Sequence, residues 1–71
     1  MRREAVDSEA LRSVGYDPDS RILEIEFNSG TVYRYFAVPL SVYAGLMTAK
    51  SKGEYYATNI RTAGFEYEQR P

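Results

Sequence analysis

Glu24 and Glu26 stand two residues apart in Arg21-Ile22-Leu23-Glu24-Ile25-Glu26-Phe27. On a strand that spacing turns both carboxylates to one side, as general acid–base work by a pair requires. The pairing derived below puts Arg34 on the same side, so the favoured reading is a solvated face whose charges pair and discourage edge association. Ser51 is a candidate nucleophile, but the chain has no histidine to activate it, and Glu54 three residues later gives it a helix-capping role. The lack of histidine and cysteine also removes the commonest metal ligands and any disulfide. No glycine loop for phosphates and no acidic calcium loop is present. These residues predict a protein that is not an enzyme, with no metal, no cofactor and no small-molecule substrate.

Binding chemistry is better represented. Seven of the 71 residues are tyrosine, and Tyr33-Arg34-Tyr35 interleaves rings with a cation, as a base-stacking platform does. The strand register instead sends both rings to the face shared with Leu23, Ile25 and Phe27, so core packing is favoured there. The second candidate is a helix start. Lys50 and Lys52 flank the first amides at Ser51 to Gly53, Gly53 allows close backbone approach, and Arg61 adds a cation one helix-length along. Tyr55 on an exposed ridge could stack on a base, with Asn59 a turn further as a hydrogen-bonding neighbour. The nucleic-acid-binding set is therefore Lys50, Ser51, Lys52, Gly53, Tyr55, Asn59 and Arg61. The competing reading has Ser51 and Glu54 capping a helix, the lysines solvating a loop and Tyr55 packed on the core. Net charge is −1, but its distribution is uneven: residues 31–62 carry four basic side chains against one acidic, whereas residues 1–30 carry four against seven.

The elements that must hold these residues fit in one small domain. Leu11–Tyr16 reads as a strand, Asp17-Pro18-Asp19-Ser20 as a turn, and Arg21–Phe27 and Thr31–Phe36 as strands joined by Asn28-Ser29-Gly30. A three-residue hairpin loop closed by a left-handed glycine sets Ile25 opposite Tyr33, Leu23 opposite Tyr35 and Glu24 opposite Arg34. Val42, Tyr43, Leu46 and Met47 mark a helix over 39–49, whose apolar side should cover the Tyr33/Tyr35 face. A second helix is expected over 52–61 with Tyr56 and Ile60 inward. Phe65–Glu68 is an edge strand or an ordered tail. The predicted fold is α+β: a three-stranded antiparallel meander, with a fourth strand if the tail pairs, and two short helices on one face. The N-terminus lacks the pattern of a secretory signal and no segment is long enough to span a bilayer, so a cytoplasmic protein with no membrane partner is expected.

Gly15-Tyr16-Asp17-Pro18, Leu23–Gly30, Val32–Phe36 with Val38-Pro39, Val42-Tyr43, and Ser51-Lys52-Gly53 with Tyr55-Tyr56 and Ile60-Arg61 together resemble the KTSC domain along nearly the whole chain. The resemblance implies a domain found in small stand-alone bacterial proteins and at the C-terminus of some lysyl-tRNA synthetases, with RNA as the suggested ligand. Two places depart from its pattern: Glu54 and Ala57 flank the tyrosine pair, and the tail reads Phe65-Glu66-Tyr67-Glu68 where basic neighbours are usual. Both changes weaken an anion site. The functional expectation is a module that weakly contacts an RNA backbone, tRNA included. The alternative is a protein partner or self-association through Ile22, Val32 and Phe36 or an open strand edge.

Overall fold

Gly30 takes φ +94° and donates its amide to the Phe27 carbonyl at 2.9 Å, while Phe27 donates to the Thr31 carbonyl at 2.9 Å. That turn sets the central pairing of the computed structural model, which describes residues 1–70: Leu23 lies opposite Tyr35, Glu24 opposite Arg34 and Ile25 opposite Tyr33, as the three-residue loop predicts. The preceding turn is held by Asp17, whose carboxylate accepts from the Ser20 hydroxyl at 2.8 Å and the Asp19 amide at 3.0 Å. The Ser20 bond first, then the amide, hold that carboxyl below its usual range.

The sheet has five antiparallel strands in sequential order, β1 (Glu4–Ala5), β2 (Leu11–Asp17), β3 (Ile22–Phe27), β4 (Val32–Tyr35) and β5 (Tyr67–Arg70). This corrects the three or four strands expected. The tail does pair, setting Tyr67 opposite Tyr35 and Glu68 opposite Arg34. The added strand is β1, which sets Glu4 opposite Val14. Gly15 admits it: a Cβ there would sit 2.7 Å from the Arg2 carbonyl oxygen.

Two helices cover one face. α1 spans Leu40–Thr48, with Pro39 as its N-cap rather than in its first turn. α2 spans Lys52–Tyr56 and runs on as a π-helical stretch over Ala57–Arg61. Leu11, Val14, Leu23, Ile25, Tyr35, Val38, Leu46 and Ile60 form the buried core between the layers. Coverage of the tyrosines differs from expectation. Tyr43 of α1 stacks on Tyr16 with ring centres 4.7 Å apart. Tyr56 of α2 is the residue that meets Tyr35, with hydroxyls 2.5 Å apart, and Phe27, with ring centres 5.0 Å apart. Burial first, then the Tyr56 bond, push the Tyr35 phenol far above its ordinary range. No described helix is long and apolar enough to cross a membrane.

Candidate functional site

The segment from Lys50 to Arg61 begins with a chain reversal in which Ser51, Lys52 and Gly53 of the expected anion site each meet a protein partner. Ser51 is extended, with φ −115° and ψ 101°, and its hydroxyl accepts the Glu54 amide at 3.2 Å, capping α2. Lys52 folds back: its ammonium donates to the Met47 and Ala49 carbonyls, both at 3.1 Å, and so satisfies the C-terminal end of α1. A Cβ on Gly53 would stand 3.1 Å from the Ala10 methyl, so the close approach its small size allows is taken by the loop before β2. That loop is tied down in turn, with Asn28 donating to the Ser8 and Glu9 carbonyls.

Tyr55 is the clearest departure from the expected site. Its ring lies over Gly45 of α1, where a Cβ would overlap the phenol oxygen, and it packs against the core cluster instead of standing on an exposed ridge. Asn59 is exposed, but its side-chain amide donates to the Tyr55 carbonyl at 3.2 Å. Arg61 is exposed at the far end of the helical stretch, beyond the π-helical turns that follow α2. Lys50 is exposed at the near end. A groove of about 460 Å³ does open between residues 7–10 and Lys50–Gly53, yet Asp7 and Glu9 line it opposite Lys50. Ser51, Lys52 and Gly53 are thus brought together as a junction of three chain segments, while Lys50 and Arg61 remain apart.

The outer sheet face holds a cluster that sequence reasoning places only in part. Glu24 is not solvated as expected: it is 5% exposed, clamped between Arg3 at 2.5 Å and Arg34 at 2.8 Å. Desolvation pushes its carboxyl up, but the hydrogen bonds and charges of Arg34 and Arg3 outweigh that and hold it below the usual carboxylate range. A carboxylate held ionised with both oxygens taken by guanidinium groups is poorly suited to pass a proton. Arg3 also donates to the Ser13 hydroxyl at 3.0 Å, and Ser13 donates to Glu26 at 2.9 Å. Arg3 is absent from the expectations, although a glycine inside a strand at Gly15 signals that another backbone comes near. Ile22, Val32 and Phe36, expected as exposed apolar positions, are all partly covered.

The far side of the sheet ends differently. All four residues of β5 are exposed, Tyr67 to 62%, and no described strand pairs with its outer edge. Tyr67 leans against Tyr33 and Tyr35, with ring centres 5.6 Å from each. The sequence offers an edge strand over Phe65–Glu68 as one reading of the tail, and the strand is there, shifted two residues on to Tyr67–Arg70.

The sheet order, the Ser51-Lys52-Gly53 junction and the buried second tyrosine of the Tyr33-Arg34-Tyr35 triplet describe a pattern with known relatives. A family model described as the KTSC domain matches residues 7–67. The chain belongs to the KTSC domain family. A crystal structure of a KTSC domain protein from Yersinia pestis superposes with a TM-score of 0.93 at 36% identity, covering 99% of this chain and 97% of that one. An uncharacterized protein of Stutzerimonas stutzeri (strain A1501) is 45% identical over 67 residues, 94% of both chains. A lysine–tRNA ligase of Nostoc sp. is 42% identical over 59 residues, which are 83% of this chain but 10% of that enzyme. For a KTSC domain the arrangement above means that two of its recognisable motifs, the tyrosine triplet and the Ser-Lys-Gly start, are occupied mainly with holding the two layers together.

Proposed function

We propose that this KTSC domain is a non-catalytic interaction module that takes up an extended protein segment along the free edge of β5. The observation that carries the reading is that edge itself, which no described strand covers and whose four residues, Tyr67 among them, are all exposed. Phe36 donates to the Glu66 carbonyl at 2.9 Å, and antiparallel pairs alternate, so Glu66, Glu68 and Arg70 turn their backbone groups toward β4. Tyr67 and Gln69 turn theirs outward. An added strand would satisfy those groups by main-chain bonds, and the half-open tyrosine cluster would supply side-chain contact. The test is selection of short peptides from a random display library on the immobilised chain, with Gln69→Pro as the comparison. Binders lost on Gln69→Pro, which removes an outward amide at a position an edge strand tolerates, support the reading. Binders indifferent to it, or none, refute it.

Contact with an RNA backbone is the second reading, favoured by the exposed Lys50 at the groove mouth, by Arg61, and by the likeness to a stretch of a lysine–tRNA ligase. Lys52 is committed to α1, so two phosphate contacts remain and the log–log salt slope on single-stranded RNA should be only about −1.4. Titration with a tRNA mixture at two salt concentrations checks it. A signal unaltered by salt or by Lys50→Glu removes this reading.

A further inference from the structure

The charges on the outer sheet face alternate along one row across the strands. Arg3 reaches over Gly15 to Glu24, Glu24 lies opposite Arg34, and Arg34 lies opposite Glu68 on the last strand. The next position in that row, beyond the free edge, calls for a cation. Arg70 sits on the same face of β5 two residues on and donates to Glu68 within the strand at 3.1 Å. An antiparallel second copy of β5 would place its own Arg70 in the missing position.

We infer that the partner of the β5 edge is a second copy of this chain, paired antiparallel about a two-fold axis at Gln69, so that Glu68 of each copy faces Arg70 of the other. This rests on the strand-addition reading above and names its partner. Only Tyr67 and Gln69 of β5 direct backbone groups outward, so two-fold seams in which these groups bond one another must centre on position 67, 68 or 69. Centring on Tyr67 sets Glu66 against Glu68, and centring on Glu68 sets that carboxylate against itself. Like charges directly opposite one another destabilise a strand pair. The seam centred on Gln69 has none, and it gains two Glu68–Arg70 pairs and a reciprocal Gln69 backbone exchange. The product is a continuous ten-stranded sheet. A seam three residues long, Glu68–Arg70 of each copy, is smaller than a standard stable interface, so the association belongs near about 0.1–1 mM and weakens as salt screens the pairs.

Sedimentation of the full chain from about 0.05 to 2 mM at low salt tests this, with two single variants and their mixture. Arg70→Glu, whose position lies opposite Val32 within the sheet, leaves the fold in place but sets Glu68 against a carboxylate across the seam. Glu68→Lys sets two cations against each other. Each variant alone should lose self-association by about tenfold or more, whereas an equimolar mixture, in which every seam pair is again of opposite sign, should recover it. Amide spectra of each variant establish that it is folded. A wild-type chain that stays monomeric to 2 mM, variants that associate as the wild type does, or a mixture that fails to recover overturns the second copy as partner. That failure is separable from failure of strand addition, because selected peptides that depend on Gln69 would still bind a monomer.

Discussion

Gly45→Ala separates the two roles open to Tyr55. In the middle of α1 an alanine gains about 1 kcal/mol over glycine from helix propensity alone. If Tyr55 stood on a solvent ridge the substitution would therefore stabilise the domain. In the structure a Cβ at Gly45 overlaps the Tyr55 phenol oxygen and comes within 2.6 Å of Cζ and 2.9 Å of Cε2. The ring has to leave its seat on α1, and overpacking of that kind costs about 1–3 kcal/mol. The expected net loss is about 1 kcal/mol. With a urea m-value near 1 kcal/mol/M for so small a chain, the unfolding midpoint should fall by about 1 M. The same substitution made in a Tyr55→Ala background should change sign and raise the midpoint, because the overlap has gone and the propensity gain remains. The interaction energy from the cycle should be about 2 kcal/mol. A Gly45→Ala variant more stable than the parent would refute the packing role of Tyr55 and return it to the set of residues free to stack on a ligand.

Three further measurements address the other contacts. Glu24→Gln should cost about 2 kcal/mol at neutral pH, since two guanidinium groups lose their charged partner. Because the folded carboxyl is held below its unfolded value, its contribution is complete above about pH 4.3 and is lost as the pH falls through the folded value. Urea midpoints from pH 7 to 2 should therefore converge for parent and variant, and curves that stay parallel would contradict the clamp. Gly15→Ala drives a methyl into the Arg2 carbonyl oxygen, so β1 should lift away, and the Val6 amide, which donates to the Arg12 carbonyl, should exchange faster while β3 stays protected. Lys52→Met keeps the aliphatic stem and removes the ammonium from two carbonyls. It should lower stability by about 1 kcal/mol and leave the tRNA titration unchanged.

Legibility in the sequence followed the range of the interactions. The hairpin register was readable because Asn28-Ser29-Gly30 sets it within three residues, and it decides correctly that Tyr35 is buried. The helix starts were readable to within a residue from Pro39 and from the Ser51–Glu54 pair for the same reason, whereas the change to a π-helical stretch at Ala57 was not. β1 was not, because a strand of two residues has no period, and what holds it is Arg3 crossing to a carboxylate 21 residues away. Tyr55 was misplaced because a helical projection ranks faces within one helix, while the gap it fills is made by a glycine on another. The internal bonds of Lys52 were not foreseen for a related reason. Beside a capped helix start a lysine looks like an anion ligand, but the carbonyls ending α1 lie within its reach and are equally good acceptors.

A consequence follows for where recognition can reside in this fold. Tyr35 is spent on the core, Lys52 on the end of one helix, Ser51 on the start of the next, and Gly53 and Gly45 on close packing. Side chains with such duties cannot change to suit a ligand without loosening the layers. Glu68, Gln69 and Arg70 have no comparable duty: they are exposed, they lie past the last residue matched by the family model, and their backbone supplies the edge. On the strand-addition proposal, changes of charge on β5 would alter the partner and leave the framework in place. On the second-copy proposal, a relative carrying like charges at the positions of Glu68 and Arg70 should sediment as a monomer over the concentrations at which that proposal expects this chain to pair.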